Sequence, residues 1–212
     1  MWSSTLQEIA RLNNFGVSYL AMGEGSQAVK AFKDALTIVS NFSEQKDDVS
    51  MCMFQKKQHC VSRSQAVTGL DGTFFVYSNG LLIDASEDMD IVFMNCIILF
   101  NLALAFHQRG MVYGQEAKLR KALTLYDLCM QLTSGDSPCS AALLLVSLNN
   151  SAQIHFELAD YEYAAEALEV LYQESETVSL SDCPPALLDQ RHVEQFSLNV
   201  LLTVRPTTAA CA

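Results

Sequence analysis

Three times along this chain, two consecutive stretches carry apolar residues at intervals of three and four, joined by a short connection. Such a pattern predicts paired, antiparallel amphipathic helices. The first pair places Leu6, Ile9, Ala10, Leu12, Phe15, Gly16, Tyr19 and Leu20 on one stripe and ends at Gly23, a natural helix stop. Ala28, Val29, Phe32, Ala35, Leu36 and Val39 follow on its partner. A second pair is expected from about Asp88 to Gln108 and from Glu116 to Leu132, with Gly110 and Gly114 marking the connection. A third runs from about Ser140 to Leu158 and from Tyr161 to Glu174; Ala159 and Asp160 turn the chain, and Asp160 is placed to cap the new helix. Only 4 prolines and 9 glycines punctuate the 212 residues, too few for a many-turned sandwich, while a hydrophobic half of the composition supplies a core.

The expected organisation is all-α: a helix pair over 1–42, an irregular insert over 43–87, two more pairs over 88–176, and a capping segment with a tail over 177–212. Within the insert, Phe74 to Tyr77 and Leu81 to Ile83 are β-rich runs around Asn79-Gly80, a favoured tight-turn dipeptide, so a short β-ribbon is expected there. The tail holds Pro184-Pro185 and one more amphipathic stretch from about Gln190 to Leu202.

Charge and cysteine narrow the function. Lys plus Arg number 13 against 24 Asp plus Glu, a net charge of -11, which argues against binding a phosphate backbone. The imbalance is local: from Ala122 to Gln190 there are 11 acidic side chains and no Lys or Arg. Such a stretch is either a solvated surface or one that attracts a basic partner. Seven cysteines with no C-x-x-C spacing argue against a secreted disulfide framework and predict an intracellular, reducing compartment. The amino terminus has no signal-peptide pattern, and the longest apolar stretch, Ile91 to Phe106, falls short of the roughly 20 residues that span a bilayer, so no membrane partner is expected.

The helix pairs resemble the tetratricopeptide repeat (TPR) family. Leu12, Phe15, Gly16 and Tyr19 followed by Ala28, Phe32 and Ala35 are similar to the family's large-large-small-large and Ala-aromatic-Ala patterns. Leu99, Leu102, Ala103 and Phe106 with Ala122, Tyr126 and Cys129 repeat it; Leu148, Ser151, Ala152 and His155 with Ala164, Leu168 and Leu171 give a third, more degenerate copy. Gly16 and Ala28 permit close helix crossing. The spacing is not the family's regular 34, since Gly16 to Ala103 is 87 residues and Ala103 to Ala152 is 49, so the array is interrupted.

The resemblance implies a TPR-like α-solenoid and a non-catalytic scaffold or adaptor that binds a peptide or partner segment in a concave groove. Asn14, Asn101 and Asn150 occupy the slot that faces the groove in many members, where a carboxamide both donates to and accepts from a peptide backbone. The structural alternative is that they bond a neighbouring helix or face water. A chaperone-carboxylate clamp is disfavoured, because Val17 stands where a second asparagine is wanted and the third pair lacks basic residues. A basic ligand near Glu157, Asp160, Glu162 and Glu166 fits better. The competing expectation is a self-associating accessory subunit, a homo-oligomer contacting through Phe196, Leu198 and Val200.

No enzyme is expected. The chain has no H-E-x-x-H, P-loop, G-x-G-x-x-G or G-x-S-x-G motif, and no cofactor is implied. Cys52, His59 and Cys60 lack a fourth ligand for zinc, so no metal is expected. His107 and His155 read as packing or rim residues, Asp47-Asp48 as loop solvation, and Asp88 and Asp90 as helix amino-terminal charge.

Overall fold

The structure, a computed structural model, describes residues 2–44, 60–62, 74–84, 90–133, 137–177 and 188–203. These residues are overwhelmingly helical: α1 (Trp2–Ala21), α2 (Gly25–Glu44), α3 (Ile91–Tyr113), α4 (Glu116–Leu132), α5 (Pro138–Glu157), α6 (Tyr161–Thr177) and α7 (Gln190–Thr203). Two three-residue strands, β1 (Cys60–Ser62) and β2 (Leu81–Ile83), complete the described elements. Each helix packs on the next in chain order, and α1, α3 and α5 also meet β2 or one another.

The hairpins close where the chemistry allows. After α1 the chain turns at Gly23, whose φ of 75° only glycine adopts freely, and Glu24 donates back to the Tyr19 carbonyl at 2.8 Å. α3 begins under an Asp90 cap that accepts from the Val92 amide, and Gly114 in the left-handed region ends it. Its connection to α4 is therefore two residues, not the long one expected from Gln108, because Gly110 stays inside the helix. A Cβ at Gly110 would lie 2.5 Å from Leu119 of α4, so this glycine is a crossing point rather than a break. Gly16 plays the same part in the first hairpin, where an added Cβ would lie 2.3 Å from the Phe32 ring.

α5 starts at Pro138 behind a Ser137 cap. It ends with Ala159 at φ 61°, a strained position for a residue with a Cβ. Asp160 follows, its carboxylate facing Arg120 and His155.

The core is a single cluster running through all seven helices. α3 is buried on nearly every side, from Phe93 through His107, because α1, α2, α4, α5 and β2 surround it. By length and a mean hydropathy of 1.8 it is the one described helix that could cross a bilayer, longer than the apolar stretch suggested, but 78% of that window is covered by the rest of the fold. Ala103 and Ala152 are wholly buried. Phe15 departs from the expected pattern: it is 47% exposed, with the Arg11 guanidinium 5.1 Å from its ring.

The expected ribbon is rearranged. Phe74 to Tyr77 does not fold back on Leu81 to Ile83; residues 74–83 run as one extended stretch, and β2 pairs antiparallel with β1 instead, Val61 opposite Leu82. Gly80 lacks a positive φ and does not turn. Its backbone passes so close to Val17 that a Cβ would lie 2.8 Å away.

Candidate functional site

The extended stretch lies across α1, α3, α5 and α7, and asparagines from those four helices hold its backbone. Asn14 donates to the Ile83 carbonyl and accepts from the Ile83 amide, both at 2.9 Å. Asn101 does the same for Leu81, at 2.8 Å each way. Asn150 holds both groups of Tyr77 at 2.9 Å, and Asn199 both groups of Phe75 at 2.8 Å. A carboxamide carries a donor and an acceptor on one planar group, so each asparagine imitates one rung of a β-ladder. Backbone groups of residues 75, 77, 81 and 83 point to one edge because a strand repeats every two residues. Those of Leu82 face the other edge, where β1 stands.

The arrangement is duplicated. In the first module Asn13 adds a donation to the Leu81 carbonyl at 2.9 Å and accepts from Asn101 at 2.8 Å. In the second, Asn149 adds a donation to the Phe75 carbonyl at 3.0 Å and accepts from Asn199 at 2.7 Å. Within each doublet the first amide also donates to the second at 3.2 Å. The clamp thus has two equivalent modules, Asn13-Asn14 with Asn101 and Asn149-Asn150 with Asn199. Each grips two alternate residues, and the second acts six residues earlier on the strand.

Side chains of the strand do the apolar part. Tyr77, Leu81 and Ile83 are at most 2% exposed. The Tyr77 ring meets Phe100 edge-on at 6.0 Å and His192 at 5.2 Å, and Phe75 lies 5.9 Å from Phe196. Burying side chains of this size stabilises the seating by about 2 kcal/mol each. Phe196 is accordingly 1% exposed and not a surface contact as expected, while Leu198 is 46% exposed.

Behind the second module lies a buried polar chain. Asn150 donates to the Tyr126 hydroxyl at 3.1 Å, and that hydroxyl approaches His107 Nδ1 at 3.4 Å. His107 Nε2 meets the Gln153 carbonyl oxygen, which makes Nε2 the protonated nitrogen, and Gln153 donates to Glu157 at 3.1 Å. Burial holds His107 neutral with a pKa of about 4, opposed only in part by Gln153. Burial likewise pushes the Tyr126 phenol far above its ordinary range. His107 is therefore a core residue, 1% exposed and with a partner at each ring nitrogen.

The acidic residues named from the sequence sit around the α5–α6 turn. Glu157, Glu162 and Glu166 are exposed and Asp160 is half-buried. The face is not uniformly acidic, because Arg120 of α4 reaches within 3.9 Å of Asp160. His155 stacks on Tyr163 at 5.5 Å and stands 3.7 Å from Asp160, a rim position. Among the described residues no group of His, Cys, Asp and Glu is placed to hold a metal. The Cys52 and His59 part of the metal reading, and Asp47-Asp48 and Asp88, lie outside the described residues.

Asn14, Asn101 and Asn150, the residues expected to face a groove, all come to one strand, and that strand is the chain's own. Asn13, Asn149 and Asn199 join them without having been expected. The signal was present: Leu-Asn-Asn occurs at 12–14 and again at 148–150, and Phe75, Tyr77, Leu81 and Ile83 share one parity. No protein-family model, curated protein or solved structure matches the chain.

Proposed function

We propose that this chain is a non-catalytic protein-interaction scaffold, a TPR-like array of helical hairpins whose groove takes an extended polypeptide segment. The observation that carries the reading is the asparagine clamp. It holds four residues by N–H and C=O and so imposes little on the ligand beyond extended backbone, no proline at those four positions, and apolar side chains where Tyr77, Leu81 and Ile83 now sit. The chain's own strand occupies it, so a partner segment enters by replacing residues 74–83 and competes against a tethered rival with a millimolar-scale effective concentration. The burial of Phe196 removes one of the contacts on which the self-association reading relied.

Competition supplies the test. A labelled peptide with the sequence of residues 74–84 is titrated into the wild type and into Leu81→Ala, which loosens the resident strand. Truncating a buried leucine costs about 3 kcal/mol, so peptide uptake by the folded variant is expected to be at least roughly tenfold tighter than by the wild type. A folded variant that takes up no peptide contradicts the reading.

A further inference from the structure

We propose that the turn end of the α5–α6 hairpin is a docking surface for a partner segment in which Lys or Arg alternates with apolar residues. The surface is that of the strand-seated state, since Phe74 of the resident strand is one of the rings that brace it. Large rings are left in solvent here: Phe156 is 41% exposed, Tyr161 60% and Tyr163 61%. They are ordered rather than scattered. Phe74, Phe156 and Tyr161 form a chain with centroids 5.4 Å apart at each step, and Tyr163 is braced on His155. Rings held by neighbours lose little freedom on binding, which favours them as contact anchors.

The charge around those rings selects the partner. Glu157, Glu162 and Glu166 are exposed beside them, and among the described residues no cation pairs with any of the three. Arg120, which reaches this turn from α4, is answered by Glu116 at 2.8 Å and by Asp160 at 3.9 Å. A guanidinium or ammonium placed here meets both a carboxylate and the face of a tyrosine. An acidic segment would meet net repulsion from this part of a chain of net charge -11.

The probe is a short labelled peptide of alternating Arg and Leu, set against one of alternating Glu and Leu and one of alternating Arg and Ser. The Arg–Leu peptide is expected to bind tightest, more weakly as salt is raised. Glu157→Lys with Glu162→Lys is expected to weaken it roughly tenfold, and Tyr161→Ser with Tyr163→Ser to weaken it without changing the salt dependence. The control is Glu176→Lys with Glu194→Lys, an equal charge change on exposed positions elsewhere, which is expected to leave binding as in the wild type. If the control pair weakens binding as much as the test pair, the attraction belongs to the net charge and the proposal is overturned. Equal binding of the Arg–Ser peptide overturns the aromatic part, and binding of the Glu–Leu peptide overturns the whole.

Discussion

Asn101→Ala removes the most enclosed contact of the clamp, and its cost follows from the hydrogen bonds. Asn101 is 0% exposed and makes three of them: it accepts from the Leu81 amide and donates to the Leu81 carbonyl and to Asn13 Oδ1. With alanine there, the Leu81 carbonyl keeps Asn13 Nδ2, but the Leu81 amide and Asn13 Oδ1 lose these partners in a buried place. A buried polar group left without a partner costs about 1–3 kcal/mol, so two cost roughly 2–6 kcal/mol, with about 4 as the working figure. At about 2–4 °C per kcal/mol for a chain of this size the melting temperature falls by roughly 8–16 °C. Asn14→Ala is the internal control. Asn14 also holds both groups of its residue, but it is only half-buried, so water can replace the amide and the loss is about 1 kcal/mol. Urea denaturation monitored by circular dichroism reads both. Equal, small losses for the two variants would refute the reasoning, because they would mean that Asn101 is not buried against Leu81.

Gly16→Ala is expected to destabilise by about 1–3 kcal/mol, since its Cβ would sit 2.3 Å from the Phe32 ring and one helix must shift; a thermal melt checks it. Ala159→Gly is expected to stabilise by about 1 kcal/mol by relieving the left-handed φ of 61°, read by the same melt. His107, with its pKa held at about 4 in the fold, takes its proton first in the unfolded chain. The part of the stability that rests on a neutral His107 is therefore complete above about pH 6.5 and is lost as pH falls toward 4, about 3 kcal/mol in all. His107→Gln removes that contribution to the decline, which urea midpoints across this range would show.

The helices were legible because their signal is local. The stripes of Ile9 and Ala10 on α1 and of Ala28, Phe32 and Ala35 on α2, and the caps at Gly23 and Gly114, depend on neighbours a few residues away. Gly110 misled because a glycine at a tight helix crossing and a glycine in a loop look alike until the partner, Leu119, is known. Asn79-Gly80 misled for a related reason. Its turn propensity was overridden by asparagines up to 124 residues from the strand residues they hold, and no window along the sequence sees that pairing. Asn14, Asn101 and Asn150 could be picked out by their place in the repeat, yet what they hold could not. A carboxamide grips any extended backbone, so its sequence context carries no mark of whether the ligand comes from outside or from within. Phe196 was misjudged through the same gap, its partner Phe75 being part of the strand it helps to cover.

Residue-resolved amide exchange tests the clamp most directly. With the strand seated, the amides of Phe75, Tyr77, Leu81 and Ile83 are each bonded to an asparagine, and they should exchange at least roughly a thousandfold more slowly than in an unstructured peptide. Asn101→Ala should release Leu81 ahead of Phe75. Exchange of all four at free-peptide rates in the folded wild type would contradict the account, leaving the asparagines without the strand they are said to hold.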